Sequence, residues 1–408
     1  MHLGMRIRLW KFCRTGRSDG KTGRFLKSRH LKTGRQDKSR PVGKTDRLMK
    51  ANEREIVMNI TEILQQAIAE GASDVFLVTG LGLTFRRNGV IVLEESDRLM
   101  PPDTERLVRE IYTLADDRDI RFLLEKGDDD FSFAVPHLSR FRVSAFKQRG
   151  SLSAVIRIIS FHMPDPKKLG IPEAVIRFGT ESKGMVLVTG TAGSGKSTTL
   201  ACIIDEINRT RSAHIITLED PIEYLHRHDK SIVTQREIDV DTVSYVTALR
   251  AALRQSPDVI LLGEMRDYET ISVAMTAAET GHLLFSTLHT IGAANTINRI
   301  IDVFPAEQQH QIAVQLSTVL DAVVSQQLVP TVDGTMVPAF EIMTVTPAIR
   351  NMIRENKVYQ IDGFIQSSGS SMVSMDASLL KLYQENRITK ETALFHAANP
   401  DLLSKRLR

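Results

Sequence analysis

The sequence LVTGTAGSGKSTTL, which runs from Leu187 to Leu200, restricts the fold of this 408-residue chain more than any other segment. An apolar run ends at Gly190, glycines recur through the turn that follows, and apolar residues then recur at helical spacing from Leu200. A buried strand that turns at once into an amphipathic helix is a unit of parallel sheets covered by helices. The segment therefore predicts an α/β domain with this turn at the carboxyl end of a strand.

The sequence around this segment continues the alternation of strands and helices. The predicted strands are MVLVTG, HIITLED, DVILLGE and HLLFSTLHT, and the predicted helices between them are STTLACIIDEINRT, TVSYVTALRAALRQ and YETISVAMTAAETG. Apolar strands separated by helices predict a parallel sheet covered on both faces, in a domain over 171–408 with a helical tail from about Ala306. Ligands of such sheets bind at the carboxyl ends of the strands.

A smaller α+β domain is predicted over 58–159. Apolar residues recur at helical spacing from Ile60 to Ile68, and another helix is predicted from Pro102 to Leu114. Short runs such as DVFLVTG, VIVLEE, FSFAV, RFRVSAF and SAVIRII are typical of strands. Prolines mark the segment 160–170, which we interpret as the link between the two domains.

The first 57 residues differ from the rest in charge. Residues 1–50 hold 16 lysines and arginines against three aspartates, although the whole chain has a net charge of only +4. Few apolar residues and repeats such as RTGR and KTGR predict a disordered, basic extension. It could contact nucleic acid or anionic lipid, or be a passive extension, or precede a true translation start at Met58.

Composition excludes several classes of protein. No apolar run approaches the roughly 20 residues that cross a bilayer, and no secretory signal is evident, so we expect a cytoplasmic protein without a transmembrane segment. The two cysteines, Cys13 and Cys202, cannot by themselves form a disulfide framework or a four-cysteine zinc site.

The glycine-rich turn has the spacing of a phosphate-binding loop. Gly190, Gly195, Lys196 and Ser197 fit G-x-x-x-x-G-K-[ST], in which backbone amides surround phosphates, the lysine contacts the terminal phosphates and the hydroxyl binds magnesium. We predict that ATP and Mg²⁺ bind here. The predicted nucleotide-binding residues are Gly190, Thr191, Ala192, Gly193, Ser194, Gly195, Lys196, Ser197 and Thr198.

Acidic residues follow two of the predicted strands. Glu219, Asp220 and Glu223 follow HIITL, and Glu264 follows DVILLG. Hydrolysis needs a second magnesium anchor and a group that orients water, and we predict these roles for the two clusters. The alternative is that some of these carboxylates, Asp220 above all, stabilise helix N-termini.

Histidines and arginines supply further candidates. His282 and His289 flank the last predicted strand, roughly 20 Å apart, so they cannot share a metal ion; each could be structural or could sense the terminal phosphate. Arg140 and Arg142 alternate with apolar residues and so share one face of a strand. That face is either solvated or presents these arginines, with Arg157, to the charge on a nucleotide.

Four motifs resemble those of a known superfamily. GTAGSGKSTT, ITLEDPIEYLH, LRQSPDVILLGEMRD and AETGHLLFSTLHT look like the Walker A, Asp box, Walker B and His box of the secretion-type ATPases. Within that superfamily the chain is most similar to the type IV pilus retraction ATPases, the PilT family. The resemblance runs from about Met58 to about Asp376 and includes GASDV and TPAIRNMIRENK.

The resemblance implies a hexameric ring built from a PAS-like N-terminal domain and a RecA-like P-loop ATPase domain, with nucleotide between them. It implies that Glu223 is the catalytic base, that Glu264 serves magnesium and water, that His289 belongs to the His box, and that Arg142 and Arg157 complete the site. The family's retraction segment corresponds to Ala348, Ile349, Arg350, Asn351, Met352, Ile353 and Arg354. Isoleucine and methionine would dock this helix, and its polar residues would face a partner.

The implied function is ATP-driven pilus retraction through an inner-membrane platform protein, at the inner face of the cytoplasmic membrane. Related assembly ATPases usually carry a four-cysteine zinc module, so its absence favours retraction over extension. The alternatives are an accessory retraction paralogue, a type II secretion or competence ATPase, a scaffold that binds nucleotide without turnover, and a nucleic-acid translocase. The acidic character of the chain beyond the basic extension disfavours the last of these.

Overall fold

A computed structural model of the chain describes residues 58–87, 89–159, 161, 163–369 and 372–407. The chain divides into two units, Met1–Arg54 and Glu55–Arg408. The predicted basic extension over 1–57 lies outside the described residues. All elements described below belong to the second unit.

The first part of this unit is a six-stranded antiparallel sheet with three helices. Its strand order is β3-β2-β1-β6-β5-β4. The strands are β1 Asp74–Leu77, β2 Thr84–Arg87, β3 Val90–Leu93, β4 Asp128–Val135, β5 Ser139–Gln148 and β6 Ser151–Ile159. The helices are α1 Ile60–Ala69, α2 Pro101–Leu114 and α3 Arg121–Lys126.

The alternation predicted for RFRVSAF holds in this sheet. Phe141 and Val143 of β5 are fully buried, whereas Arg142 between them is exposed. The short strand β2 and the helix α3 were not predicted, since TFRR and RFLLEK each carry too few apolar residues for a clear period.

The second part is a seven-stranded sheet of order β13-β12-β7-β11-β10-β8-β9, parallel except for β13. Its strands are β7 Gly184–Thr189, β8 His214–Glu219, β9 Ile232–Glu237, β10 Val259–Leu262, β11 Leu283–Leu288, β12 Leu320–Pro330 and β13 Met336–Thr344. Helices before β12 are α4 Glu173–Ile176, α5 Lys196–Thr210, α6 Tyr245–Ala252, α7 Tyr268–Glu279, α8 Ala293–Asp302 and α9 Ala306–Val319. Those after β13 are α10 Pro347–Arg354, α11 Ile361–Ser367, α12 Met375–Gln384, α13 Lys390–His396 and α14 Pro400–Ser404.

Helices cover both faces of this sheet, and the side chains of β7 show it. Met185 and Leu187 belong to one apolar core, whereas Val186 and Val188 belong to another. Because successive side chains of a strand point to opposite faces, the two cores lie on opposite sides of the sheet. This arrangement explains why the central strands are apolar without alternation.

The predicted helical tail from about Ala306 is wrong in part. Helix α9 begins there, but the chain then returns to the sheet as β12, which pairs with β7, and β13, which pairs with β12. A run of helices begins only at Pro347. Gln326 and Gln327 interrupt the apolar pattern of β12, and its pairing with β7 is far from local in sequence. Among the described helices none is both long and apolar enough to cross a bilayer.

Candidate active site

The glycine-rich turn between β7 and α5 has a backbone that other residues could not adopt without strain. Gly190, Gly193 and Gly195 have φ angles of 143°, 75° and 89°. A Cβ on Gly190 would lie 2.2 Å from the carbonyl oxygen of Gln326, and one on Gly195 would lie 2.8 Å from the side-chain nitrogen of Gln326. The glycines therefore allow the turn to pack closely against β12.

Lys196 is held inside this turn. It is only 8% exposed, and its Nζ donates to the carbonyl oxygens of Gly190 and Thr191, both at 3.0 Å. Burial lowers the pKa of Lys196, while the charges of Glu264 and Glu223 oppose that decrease. The carboxylates of Glu223 and Glu264 are therefore near enough to Lys196 to interact with its ammonium electrostatically.

The start of α5 is suited to an anion. Gly195 is its N-cap and has no side chain that could accept from the first amides. The amide of Thr199 donates to the carbonyl oxygen of Gly195 at 3.0 Å. The amides of the first turn thus point out at the positive end of a 15-residue helix. The buried hydroxyl of Ser194 also lacks a hydrogen-bond partner among the described residues. Amides and a hydroxyl without partners fit the oxygens of a phosphate group.

Glu264 follows β10 and contacts an arginine and a histidine. It pairs with Arg266, and its Oε2 lies 3.4 Å from Nε2 of His289. The carboxylate is 11% exposed, yet Oε2 has no hydrogen-bond partner in the described part of the chain. A buried carboxylate oxygen without a donor fits a hard cation such as Mg²⁺.

No three His, Cys, Asp or Glu side chains within the described ranges lie close enough to form a metal site by themselves. Mg²⁺ usually keeps several waters and is bound by one or two protein groups together with phosphate oxygens. The residues at this edge therefore fit a magnesium ion that arrives with a nucleotide rather than a permanent metal centre.

Glu219 ends β8 and is the most perturbed acid of the site. Burial, with the nearby charge of Glu223, raises its pKa to about 7, although hydrogen bonds from Thr217 and Gln235 oppose the shift. The Thr217 hydroxyl donates to Oε1 at 2.6 Å. Glu219 therefore changes charge near neutral pH, a property that its position in the sequence alone did not reveal.

Glu223 lies in the loop between β8 and β9 and is exposed. Its backbone amide donates to the carboxylate of Glu219. The next residue, Tyr224, has its hydroxyl 2.9 Å from Oγ1 of Thr198 in α5. This contact links the loop of Glu223 to the helix that begins at the glycine-rich turn.

The two histidines lie at opposite edges of the sheet. His289 follows β11 at its carboxyl end, beside Glu264. His282 precedes β11, and its Nδ1 lies 2.9 Å from the carbonyl oxygen of Ala277 in the last turn of α7. Within the chain His282 thus contacts the end of α7 at the edge opposite the glycine-rich turn, and its predicted part in the catalytic site stays a prediction.

The arginines of the first sheet are not brought to the glycine-rich turn within one chain. Arg157 pairs with Asp74 at 3.0 Å, and Arg142 is exposed. Among the described residues neither forms an ion pair or hydrogen bond with the turn or the acidic residues. Arg140 instead pairs with Glu237 of the second sheet at 3.1 Å.

Gln326 is a residue that the sequence reasoning missed. Its side-chain oxygen accepts from the Thr199 hydroxyl at 2.7 Å, and its backbone carbonyl lies against Gly190. The β-branched residues in LDAVVSQQLVP are typical of a strand, and they could have been used to predict the strand that lies beside the turn.

Helix α10 contains the segment 348–354. Ile349 and Ile353 are buried, whereas Arg354 is exposed and Arg350 lies 3.9 Å from Asp321. The exposed or half-buried residues of the segment are Ala348, Arg350, Asn351, Met352 and Arg354.

Comparison with known proteins places the chain in a family. The profile of the type II/IV secretion system protein family matches residues 49–386. The type IV pilus retraction ATPase PilT of Pseudomonas aeruginosa is 45% identical over 345 residues, which are 84% of this chain and 99% of that protein. The type IV pilus ATPase PilU of the same organism is 38% identical over 342 residues, which are 83% and 89% of the two chains.

A solved structure resembles the fold closely. The crystal structure of the pilus retraction motor PilT with bound ADP has a TM-score of 0.78 and 46% sequence identity, over 85% of this chain and 99% of that one. The mixed α/β fold is therefore that of a PilT-like ATPase. On the profile match and these similarities, this chain belongs to the type II/IV secretion system protein family.

Proposed function

We propose that this protein is an ATP-hydrolysing motor that powers type IV pilus retraction. The observation that carries the proposal is the grouping of Lys196, Glu223, Glu264 and His289 beside the glycine-rich turn. PilT of Pseudomonas aeruginosa, whose name describes it as a type IV pilus retraction ATPase, is 45% identical over 99% of its own length, and this similarity supports the proposed function.

Each residue has a role in this proposal. The amides of Gly190 to Thr198 bind the phosphates, and the ammonium of Lys196 neutralises the terminal ones. Glu223 accepts the proton of the attacking water, and its exposure leaves it open to that water. His289 holds Glu264 in orientation through the contact between their side chains.

Mg²⁺ would be held by the hydroxyl of Ser197 and by Glu264, and when bound it would neutralise charge on the phosphate oxygens. The unpartnered Oε2 of Glu264 supports this assignment. Arg142 and Arg157 would complete the site after the first sheet changes its placement, or from a neighbouring subunit, because neither contacts the site within one chain.

The domain organisation is part of the proposal. Residues 58–159 form a PAS-like domain, 160–170 a link and 171–408 a RecA-like P-loop ATPase domain, and six copies assemble into a ring. The antiparallel and parallel sheets support the first and third assignments. The ring works at the cytoplasmic face of the inner membrane, where the exposed side of α10 contacts the pilus platform protein.

Deletion of the gene tests the function directly. Loss of a retraction motor should leave more surface pili than in the wild type, because filaments still grow but are not withdrawn. Cells without pili would indicate an extension motor and would overturn the proposal. Unchanged pilus number would also count against it.

An accessory retraction role is a second candidate, since PilU is 38% identical to this chain. The two roles can be distinguished in a strain that expresses this protein as its sole retraction ATPase. A main motor restores twitching and normal pilus number there, whereas an accessory motor does not.

A further inference from the structure

We propose that Arg140 and Glu237 form a positioning pair that ties the catalytic loop of Glu223 to the first sheet. The inference rests on the proposed function, because the role that it assigns to this pair is a role in ATP hydrolysis. Arg140 belongs to β5 of the antiparallel sheet, and Glu237 is the last residue of β9 in the parallel sheet.

The pair is a buried contact between two parts of the chain that are far apart in sequence. One guanidinium nitrogen of Arg140 lies 3.1 Å from Oε2 of Glu237. Their side chains are 18% and 4% exposed. Because little water reaches the pair, neither charge can be compensated by solvent when its partner moves away.

The same carboxylate oxygen holds the catalytic loop. Oε2 of Glu237 also accepts from the backbone amide of Ile222 at 3.3 Å. Ile222 is buried and directly precedes Glu223. If Arg140 moves, it pulls this oxygen. The hydrogen bond that holds the amide of Ile222, the residue before the proposed base, then changes as well.

Two further anchors of the loop come from β9 of the second sheet. Gln235 of β9 donates to the carbonyl oxygen of Tyr224 at 2.8 Å and accepts from the amide of His226 at 2.8 Å. These contacts hold the loop after Glu223 to β9 and do not involve the first sheet. The contact of Ile222 with Glu237 does involve the first sheet, because Glu237 also pairs with Arg140 of β5.

A second contact between the same regions supports this path. The guanidinium of Arg227, in the same loop, lies 5.3 Å from the ring centre of Phe161, which follows the first sheet. A cavity of about 350 Å³ lies between these parts and is lined by Arg140, Phe161, Leu225 and Arg227. The loop and the first sheet thus meet at two points with space between them.

The test compares kcat and KM for ATP in four purified full-length variants of the pair and in one control variant. Arg140→Met keeps the aliphatic stem and removes the charge, and Glu237→Gln keeps an oxygen that can accept from Ile222. Each should lower kcat about ten- to a hundredfold, because misplacing a catalytic group by about 1 Å costs about that much. KM and the affinity for a fluorescent ADP analogue should stay within about twofold, since the phosphate-binding residues are untouched.

Two further variants isolate the pair. Arg140→Lys retains the charge and should recover most of kcat. The double variant Arg140→Met/Glu237→Gln should be no slower than either single variant, because residues that act as one unit are not additive. Arg87→Met is the matched control, since Arg87 is a partly buried arginine of β2 that pairs with Glu94 within the first sheet. It should leave kcat unchanged.

The possible outcomes separate this inference from the proposed function. A wild-type protein that does not hydrolyse ATP would overturn both. A wild-type enzyme whose kcat is unaffected by Arg140→Met and Glu237→Gln would overturn only the positioning pair. A parallel loss of ADP affinity and kcat would also overturn it, because the pair would then merely hold the fold together.

Discussion

The two edges of the parallel sheet differ in how their polar groups are satisfied. At the carboxyl edge, Thr189 Oγ1, Ser194 Oγ and Glu264 Oε2 are buried without a hydrogen-bond partner among the described residues. At the amino edge, both ring nitrogens of His214 have partners, at 2.9 Å to the carbonyl oxygen of Gln255 and at 3.0 Å to Oγ1 of Thr234.

This difference separates structural from functional polar residues. A buried polar atom without a partner costs free energy, so a protein retains several at one place only where something else compensates them. At the carboxyl edge a bound phosphate and its cation would do so. His214 at the amino edge needs no ligand, because the fold already provides partners for both of its ring nitrogens.

The largest expected effect is that of removing the buried ammonium of the carboxyl edge. Lys196→Ala should abolish productive ATP binding and lower turnover by on the order of a thousandfold, because no other group replaces its contact with the terminal phosphates. Phosphate release and binding of a fluorescent nucleotide measure the two effects. Lys183→Ala, an exposed lysine just before β7 at the amino edge, is the control and should behave as the wild type. Undiminished affinity and turnover in the Lys196 variant would contradict the assignment.

The next largest effect concerns the proposed base. Glu223→Gln should lower kcat by about a hundredfold or more while ADP affinity is retained, because the amide cannot accept the proton of water. Single-turnover phosphate release measures the chemical step. The matched control is Glu279→Gln, an exposed glutamate at the end of α7 near the amino edge. Equal rates for wild type and Glu223→Gln would remove the base from the mechanism.

The two histidines provide a direct contrast between the edges. His289→Ala should lower turnover about tenfold, because Glu264 loses a neighbour 3.4 Å away. His282→Ala should leave turnover nearly unchanged and lower the free energy of unfolding by about 1 kcal/mol, since it loses a contact to the end of α7. Steady-state kinetics and urea unfolding of both variants test the contrast. The opposite ranking of the turnover losses would show that the edges are not functionally distinct.

The smallest effect is the pH dependence contributed by Glu219. Its pKa is raised to about 7 in the folded protein from an ordinary value of 4.5, so the folded state binds the proton more tightly than the unfolded chain. Stability should therefore fall as pH rises from about 5 to about 8, by on the order of 1 kcal/mol after screening by solvent. Glu219→Gln removes this titration. Unfolding curves of both proteins at pH 5 and pH 8 should show the smaller change in the variant, and identical changes would rule out the shift.

Elements with a strong local pattern could be predicted from the sequence. The strand β7, the helix α5 and the strands β8, β10 and β11 were each evident from their apolar residues, and the structure contains them within a few residues of the predicted bounds. The strand β12 was missed because its place beside β7 depends on pairing between distant segments. Burial on both faces also hides the alternation that identifies a strand.

The candidate site was only partly accessible to the same reasoning. Lys196 could be proposed from the spacing of the glycine-rich turn, and the carboxylates could be proposed because parallel strands end at one edge. The contacts of Gln326 with Thr199 and with the backbone at Gly190 depend on the placement of β12, so the sequence alone could not predict them. His282 and His289 look equivalent in the sequence because they lie at the two ends of one strand, and only the structure shows that these ends belong to opposite edges of the sheet.

The sequence by itself determined the glycine-rich turn and the helix behind it. Those features depend on the conformational freedom of glycine, on the spacing of apolar residues and on one lysine, all within a dozen positions. Only the tertiary structure decided that His289 meets Glu264 and that Arg140 meets Glu237. Such contacts join residues tens of positions apart, and their geometry follows from strand order and sheet placement, which no local pattern encodes.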